Sequence, residues 1–214
     1  MKRILFCLAL IGVMLSGCQS STKNPMVEIE TRLGTMEVML YNSTPIHRDN
    51  FLKLAEEGFY DSLLFHRVIP GFMIQGGDPE SRDAATGQRL GMGGPGYQLD
   101  AEIGAPHIRG ALAAARDNNP QKRSSGSQFY IVTGSPVTDD ILNDIERRKG
   151  ITYNEAQREL YKELGGTPQL DQEYTVFGEV VSGIEVADAI ANEARDATNR
   201  PFRNVRMTVR VLNR

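Results

Sequence analysis

The clearest chemical potential in this 214-residue chain lies in one guanidinium set among apolar side chains. The string Phe65-His66-Arg67-Val68-Ile69-Pro70-Gly71-Phe72-Met73-Ile74-Gln75-Gly76-Gly77-Asp78 carries it, with a neutral amide at Gln75. Period-2 alternation puts Arg67, Ile69, Gly71 and Met73 on one strand face, and Pro70-Gly71 interrupts the ladder. A bulge or bend there would bring Phe72, Met73 and Gln75 towards Arg67. An arginine head is always protonated, planar and rich in donors. It suits a reaction in which an acceptor strengthens on the way to the transition state.

Other chemistries find no support. Gly91-Met92-Gly93-Gly94-Pro95-Gly96 matches G-x-G-x-x-G, but Pro95 sits inside it and no helical pattern follows, so it reads as a glycine-rich surface loop. His47, His66 and His107 lack metal-ligand spacing, so no metal or other cofactor is expected. No G-x-S-x-G elbow is present. The net charge of −3 argues against nucleic acid as a partner.

Two more blocks follow the arginine string in order: Gly126-Ser127-Gln128-Phe129-Tyr130-Ile131, then Leu170-Asp171 with Tyr174-Thr175-Val176-Phe177-Gly178. Together the three closely resemble the cyclophilins, the peptidyl-prolyl cis/trans isomerases, over roughly residues 26 to 212 with one interruption. That resemblance implies the rotation of X-Pro bonds. Resonance gives such a bond a barrier of about 18–20 kcal/mol and an exchange time of tens to hundreds of seconds. Rotation breaks no bond, so it requires no nucleophile and no metal. The twisted nitrogen regains its lone pair, and a fixed cationic donor aimed at it favours the transition state selectively.

The resemblance assigns that catalytic role to Arg67. It implies an apolar slot for the proline ring made by Phe72, Met73, Tyr130 and Leu170. Gln75 and the backbone of Arg116 would bond the substrate main chain, with Gln75 also steadying Arg67. Ala115, Gln128 and Phe129 would line the groove beside the slot. His66 would shape the site, and Tyr174 would stand at its edge. The Tyr130 hydroxyl, where the family often has Phe, is expected at the wet rim. Gln169 replaces a tryptophan found in some members, which argues against tight cyclosporin binding. Tyr174 stands for a family histidine and Arg116 for an asparagine of the eukaryotic pattern, and the Ala115-Arg116 pair looks like bacterial members.

These residues need a scaffold. Val27 and Ile29, then Met36, Val38 and Leu40, alternate around Leu33-Gly34-Thr35 as a β-hairpin. Thr44 as cap and Pro45 in the first turn start a helix with Phe51, Leu54 and Ala55 on one face and Gly58 as its stop. Strand-like stretches cover 63–69, 72–75, 111–115 and 129–133. Ser182-x-x-Glu185 reads as a capping box before Val186, Ala187, Ile190 and Ala191, and Val205 to Val211 alternate as a closing strand. The pattern is mainly β, a barrel or sandwich. The resemblance narrows it to an eight-stranded antiparallel closed β-barrel capped by two helices, in a domain spanning 26–214.

The interruption reads as an inserted helical hairpin over 137–166. Thr138 with two aspartates opens one helix, and Arg147-Arg148-Lys149-Gly150 closes it. Thr152-x-x-Glu155 reads as a second capping box, with Ala156, Leu160 and Leu164 on one face. It is either a packed surface elaboration, whose deletion would leave activity on small peptides largely intact, or an extra wall for substrate.

The N-terminus reads as an address. Lys2 and Arg3 precede an apolar run over 4–15, too short to span a bilayer comfortably. Leu15-Ser16-Gly17-Cys18 resembles a bacterial lipobox. A signal peptide over 1–17, lipid on Cys18 and a polar tether over 18–25 are therefore expected. Cys7 would leave with the signal peptide, so the mature domain would hold no disulfide. The remaining 22 basic and 27 acidic residues give −5. Gln19 after Cys18 points to the periplasmic face of the outer membrane. The expected protein is a monomeric, lipid-anchored isomerase of the cell envelope, acting on proline-containing segments of unfolded or partly folded exported proteins. The alternative is a chaperone or assembly module that binds such segments with incidental turnover.

Overall fold

The computed structural model describes residues 23–214. The expected signal peptide and Cys18 lie outside the described residues. Among the described residues there are ten strands: β1 (Met26–Thr31), β2 (Gly34–Leu40), β3 (Arg67–Ile69), β4 (Met73–Gly76), β5 (Gln98–Leu99), β6 (Ala111–Ala114), β7 (Ser124–Ser125), β8 (Phe129–Val132), β9 (Val176–Ser182) and β10 (Met207–Asn213). Among the described residues four α-helices accompany them: α1 (Pro45–Glu56), α2 (Asp139–Lys149), α3 (Glu155–Glu163) and α4 (Ile184–Ala191).

Eight strands form one antiparallel sheet in the order β10-β1-β2-β9-β6-β8-β4-β3, and β5 pairs with β7 separately. The sheet is an open half-barrel, which corrects the expectation of a closed barrel. Its edge strands β3 and β10 share no ladder, because β3 is three residues long and stops at Pro70. An isolated bridge between Leu64 and Arg206 and a few backbone bonds, such as Phe65 N to Val205 O at 2.9 Å, stitch the residues ahead of those strands.

Alternation along the central strands divides the molecule in two. Ile74, Leu112, Ala114, Phe129 and Ile131 face the main core with Val27, Ile29, Met36, Val38 and Leu40, sealed by Phe51 of α1 and by Ala187 and Ile190 of α4. Their neighbours Met73, Ala111, Ala113, Tyr130 and Val132 face a smaller apolar cluster outside the sheet. The main core holds the fold together, and the outer cluster builds the site.

Three helix starts differ from expectation. The Thr44 hydroxyl donates to Tyr41 O, and the free amides of Ile46 and His47 go instead to the Glu102 carboxylate at 3.1 and 3.0 Å. Ser182 remains strand, paired with Glu37, and Gly183 at φ +83° makes the turn into α4 without a side-chain cap. In α3 the capping box is Asn154 with Gln157, two residues beyond Thr152 and Glu155. This register leaves Ala156, Leu160 and Leu164 in solvent and buries Tyr153 and Tyr161. Those tyrosines join Val137, Leu142 and Ile145 in a satellite core under the hairpin.

Candidate active site

β3 and β4 are two arms of a hairpin. Pro70 and Gly71, the latter at φ +66°, form its tight turn, closed by Phe72 N donating to Ile69 O at 3.1 Å. The turn aligns Arg67 opposite Gln75 and Ile69 opposite Met73. Arg67 Nη1 donates to Gln75 Oε1 at 3.2 Å and lies 3.9 Å from Met73 Sδ. Gln75 Nε2 donates onward to Gln128 Oε1 at 3.1 Å, and Gln128 Nε2 to Gly93 O at 2.6 Å. Each amide thus accepts from one neighbour and donates to the next, which orients both and tethers the guanidinium through Nη1.

Beside that head lies a cavity of about 140 Å³ lined by Arg67, Gln75, Phe72, Met73, Tyr130 and Leu170, with Ala115, Arg116 and Tyr174 at its margin. A second, larger groove of about 670 Å³ shares Gln75, Ala115 and Arg116 and runs along Gly91–Gly94 to Gln128. The Arg116 side chain is committed elsewhere. Its Nε donates to Glu173 O at 2.8 Å, Nη2 meets Glu173 Oε2 at 3.1 Å, and its Cζ lies 4.8 Å over the Tyr174 ring. The expected set therefore converges, with one exception.

The exception is Phe129. It follows Gln128 and precedes Tyr130 on β8, so its side chain points to the opposite face. There it packs edge-on against Phe51, Tyr60 and Phe65 in the main core. His66, expected to shape the site, is buried next to Arg67 and lies outside the lining of the slot. It is 4% exposed with no hydrogen-bond partner at either ring nitrogen, and it lines another cavity that shares Arg67 and Gln75 with the slot and adds Arg89, Asp196 and Arg200. Burial pushes its pKa down from 6.5 to about 4, against the opposing pull of Asp78. The imidazole is neutral near neutral pH.

Tyr130 also departs from expectation. It is 5% exposed, and its hydroxyl lies 2.9 Å from His107 Nε2 rather than at a wet rim. Burial, then Tyr174 and the Asp171 carboxylate, raise its pKa well above 10. The phenol is therefore fixed in its protonated form.

Several residues that position the site escaped sequence reasoning. Asp78 ends the arginine string and accepts from Glu80 N at 2.8 Å and Gly91 N at 2.5 Å, so it shapes the glycine loop that walls the larger groove. Gly77, at φ +86°, lets β4 pass against Ser127, whose carbonyl a Cβ would strike. His107 and Asp171 lie behind Tyr130. Asp78 and Gly77 stand in the motif itself and were findable as its loop-forming end. His107 carries no local signal.

Comparison with known proteins bears on the fold and the family. Residues 26–211 match the family model described as cyclophilin type peptidyl-prolyl cis-trans isomerase/CLD. A Staphylococcus aureus protein provisionally assigned as a peptidyl-prolyl cis-trans isomerase is 34% identical over 185 residues, covering 84% of this chain and 87% of that protein. A Streptococcus pyogenes protein provisionally assigned as a bifunctional phosphatase/peptidyl-prolyl cis-trans isomerase is 40% identical over 189 residues. The match covers 85% of this chain but spans 37% of that protein's length. Among solved structures, a cyclophilin type isomerase of Cryptosporidium parvum superposes with a TM-score of 0.63 at 25% identity, covering 89% of this chain and 99% of its own. The same Cryptosporidium protein, crystallised in the presence of the dipeptide Ala-Pro, gives a TM-score of 0.62 at 26% identity over 88% of this chain and 99% of its own. The chain belongs to the cyclophilin-type peptidyl-prolyl cis/trans isomerase family.

Proposed function

We propose that Arg67 accelerates X-Pro rotation by donating to the imide nitrogen as it pyramidalises, with the proline ring seated among Phe72, Met73, Tyr130 and Leu170. The observation that carries this reading is the Arg67–Gln75 bond at the lip of the 140 Å³ slot. It holds a permanent cation beside an apolar cavity, where a hydrogen bond is stronger than in water. Planar cis and trans imides have a delocalised lone pair and accept poorly, so the interaction grows with the twist. Gln75 and the Arg116 backbone hold the flanking main chain, and the larger groove takes residues next to the proline. The Ala-Pro dipeptide used with the Cryptosporidium relative fits a proline-containing peptide as the ligand class.

The cell-envelope setting is a proposal resting on Leu15-Ser16-Gly17-Cys18 alone. No helix among the described residues is long and apolar enough to cross a membrane. Metabolic labelling with a fatty acid, lost in Cys18→Ser, tests the anchor.

Arg67→Ala tests the mechanism. Isomerisation of a proline peptide is expected to fall at least about 100-fold while peptide binding survives in part. Undiminished turnover would overturn the role of Arg67 and leave a proline-segment binding module as the better description.

A further inference from the structure

The inserted hairpin contributes no residue to the lining of the proline slot, yet it is joined to that slot by a buried polar chain. Asp171 is 3% exposed. Its Oδ2 accepts from the hydroxyls of Tyr153 at 2.7 Å and Tyr161 at 2.6 Å, both from the insert. Its Oδ1 accepts from the His107 amide and lies against His107 Nδ1, each at 2.8 Å. The other imidazole nitrogen, Nε2, lies 2.9 Å from the Tyr130 hydroxyl. With Asp171 ionised and the imidazole in its neutral form, Nδ1 carries the ring proton and Nε2 accepts from Tyr130. The rings are fixed as well: His107 stacks on Tyr130 at 6.0 Å and 11°, and Tyr174 meets Tyr130 edge-on at 5.8 Å.

We propose that Tyr153 and Tyr161 are positioning residues for the isomerase, holding the Tyr130 wall of the proline slot through Asp171 and His107. This deepens the function argued above and rests on it. The physical reason is a shortage of alternatives. A buried carboxylate needs its donors, and two of the four that Asp171 has come from the insert. Without them Asp171 must shift towards its remaining donors on His107 or draw in water. Either movement is passed to the imidazole and so to the phenol that borders the slot. Arg67 belongs to a separate chain through Gln75 and Gln128 and is not disturbed. The insert therefore tunes how well proline is held, not how the nitrogen is polarised.

The test is a mutant cycle on the full chain, assayed with a proline peptide. Tyr153→Phe with Tyr161→Phe removes two hydroxyls and keeps both rings. KM and the Kd of a peptide titrated into the groove are expected to rise about three- to tenfold while kcat changes less than about twofold. In a Tyr130→Phe background, whatever its own activity, the same pair of changes should move KM and Kd hardly at all. A role confined to folding would lower Tm equally in both backgrounds without that difference. Unchanged KM and Kd in the first background, or an equal rise in both, overturns the proposal. If the double variant does not fold, Tyr161→Phe alone supplies the same cycle. Failure of the Arg67 reading would appear separately, as kcat surviving Arg67→Ala.

Discussion

Arg67 and Gln75 face each other across the β3–β4 hairpin, with Nη1 3.2 Å from Oε1. The pairing is a matter of register. A slip of one residue would send Gln75 through the sheet to the core side and release the guanidinium. Pro70 and Gly71 prevent that slip, because their turn admits one alignment of the two arms. The proposed mechanism therefore depends on the amide as much as on the cation it holds.

Gln75→Leu keeps the bulk of the side chain and removes both the acceptor for Arg67 and the donor to Gln128. The expected result is a fall in kcat/KM of about tenfold or more, equivalent to roughly 1.4 kcal/mol of transition-state stabilisation, with most of the loss in kcat. Steady-state kinetics on a proline peptide decide it. A loss confined to KM would show that Gln75 serves only as a substrate contact.

Acid should destabilise the protein through His66. Its folded pKa is about 4 against 6.5 for the free side chain, so between those values the unfolded chain binds the extra proton. Stability then rises with pH across that window and is lost as pH falls from about 6.5 towards 4, by up to about 3 kcal/mol from this group. His47, whose pKa burial also lowers, adds in the same sense. Denaturant melts at pH 4.5 and 7 measure the slope, and His66→Gln should flatten most of it. An unchanged slope in that variant would place the acid sensitivity elsewhere.

Gly77→Ala should be costly far beyond a methyl group. The site has φ +86°, and the new Cβ would strike the Ser127 carbonyl between β4 and β8. A left-handed backbone with a clash against main chain costs about 1–3 kcal/mol, and the strain falls beside Gln75 and Gln128. Thermal unfolding should show the loss, together with a reduced kcat. Neutrality would mean that the two strands can part without harm to the site.

Local pattern made the β1–β2 hairpin and both core-facing helices legible, whereas the slot was legible only through the family resemblance. Arg67, Met73 and Gln75 lie within nine residues, and a Pro-Gly turn tells how they meet. Phe129 was misplaced against a rule visible in the chain: neighbours on a strand face opposite sides, so with Tyr130 in the slot Phe129 belongs to the core. Barrel closure was not legible, because it depends on whether β3 and β10 are long enough to share a ladder. Nor was the Asp171 chain. It joins positions 107, 130, 153, 161 and 171, and a lone tyrosine or histidine at any of them reads as ordinary packing. The Ala156-Leu160-Leu164 face drew attention to the wrong side of α3. Apolar periodicity overlooks a tyrosine that is buried because its hydroxyl has a carboxylate to meet.

That carboxylate also changes what removal of the insert should do. As a surface elaboration, 137–166 would be dispensable. Replacing it with a short turn takes away both phenol donors and the satellite core that covers Asp171. A buried carboxylate deprived of partners costs about 1–3 kcal/mol or more, and the cost is greater for a charge than for a neutral amide. The shortened chain is therefore expected to lose at least about 2 kcal/mol of stability and to bind proline peptides more weakly. Asp171→Asn in the shortened chain removes the charge while keeping the shape, and it should recover part of the stability. In the full-length chain the same substitution should be harmful, since there the carboxylate has its four donors. Opposite signs in the two backgrounds, read from denaturant melts, are the signature of the buried charge. If Asp171→Asn lowers stability equally in both, water has replaced the tyrosines and the insert is dispensable after all.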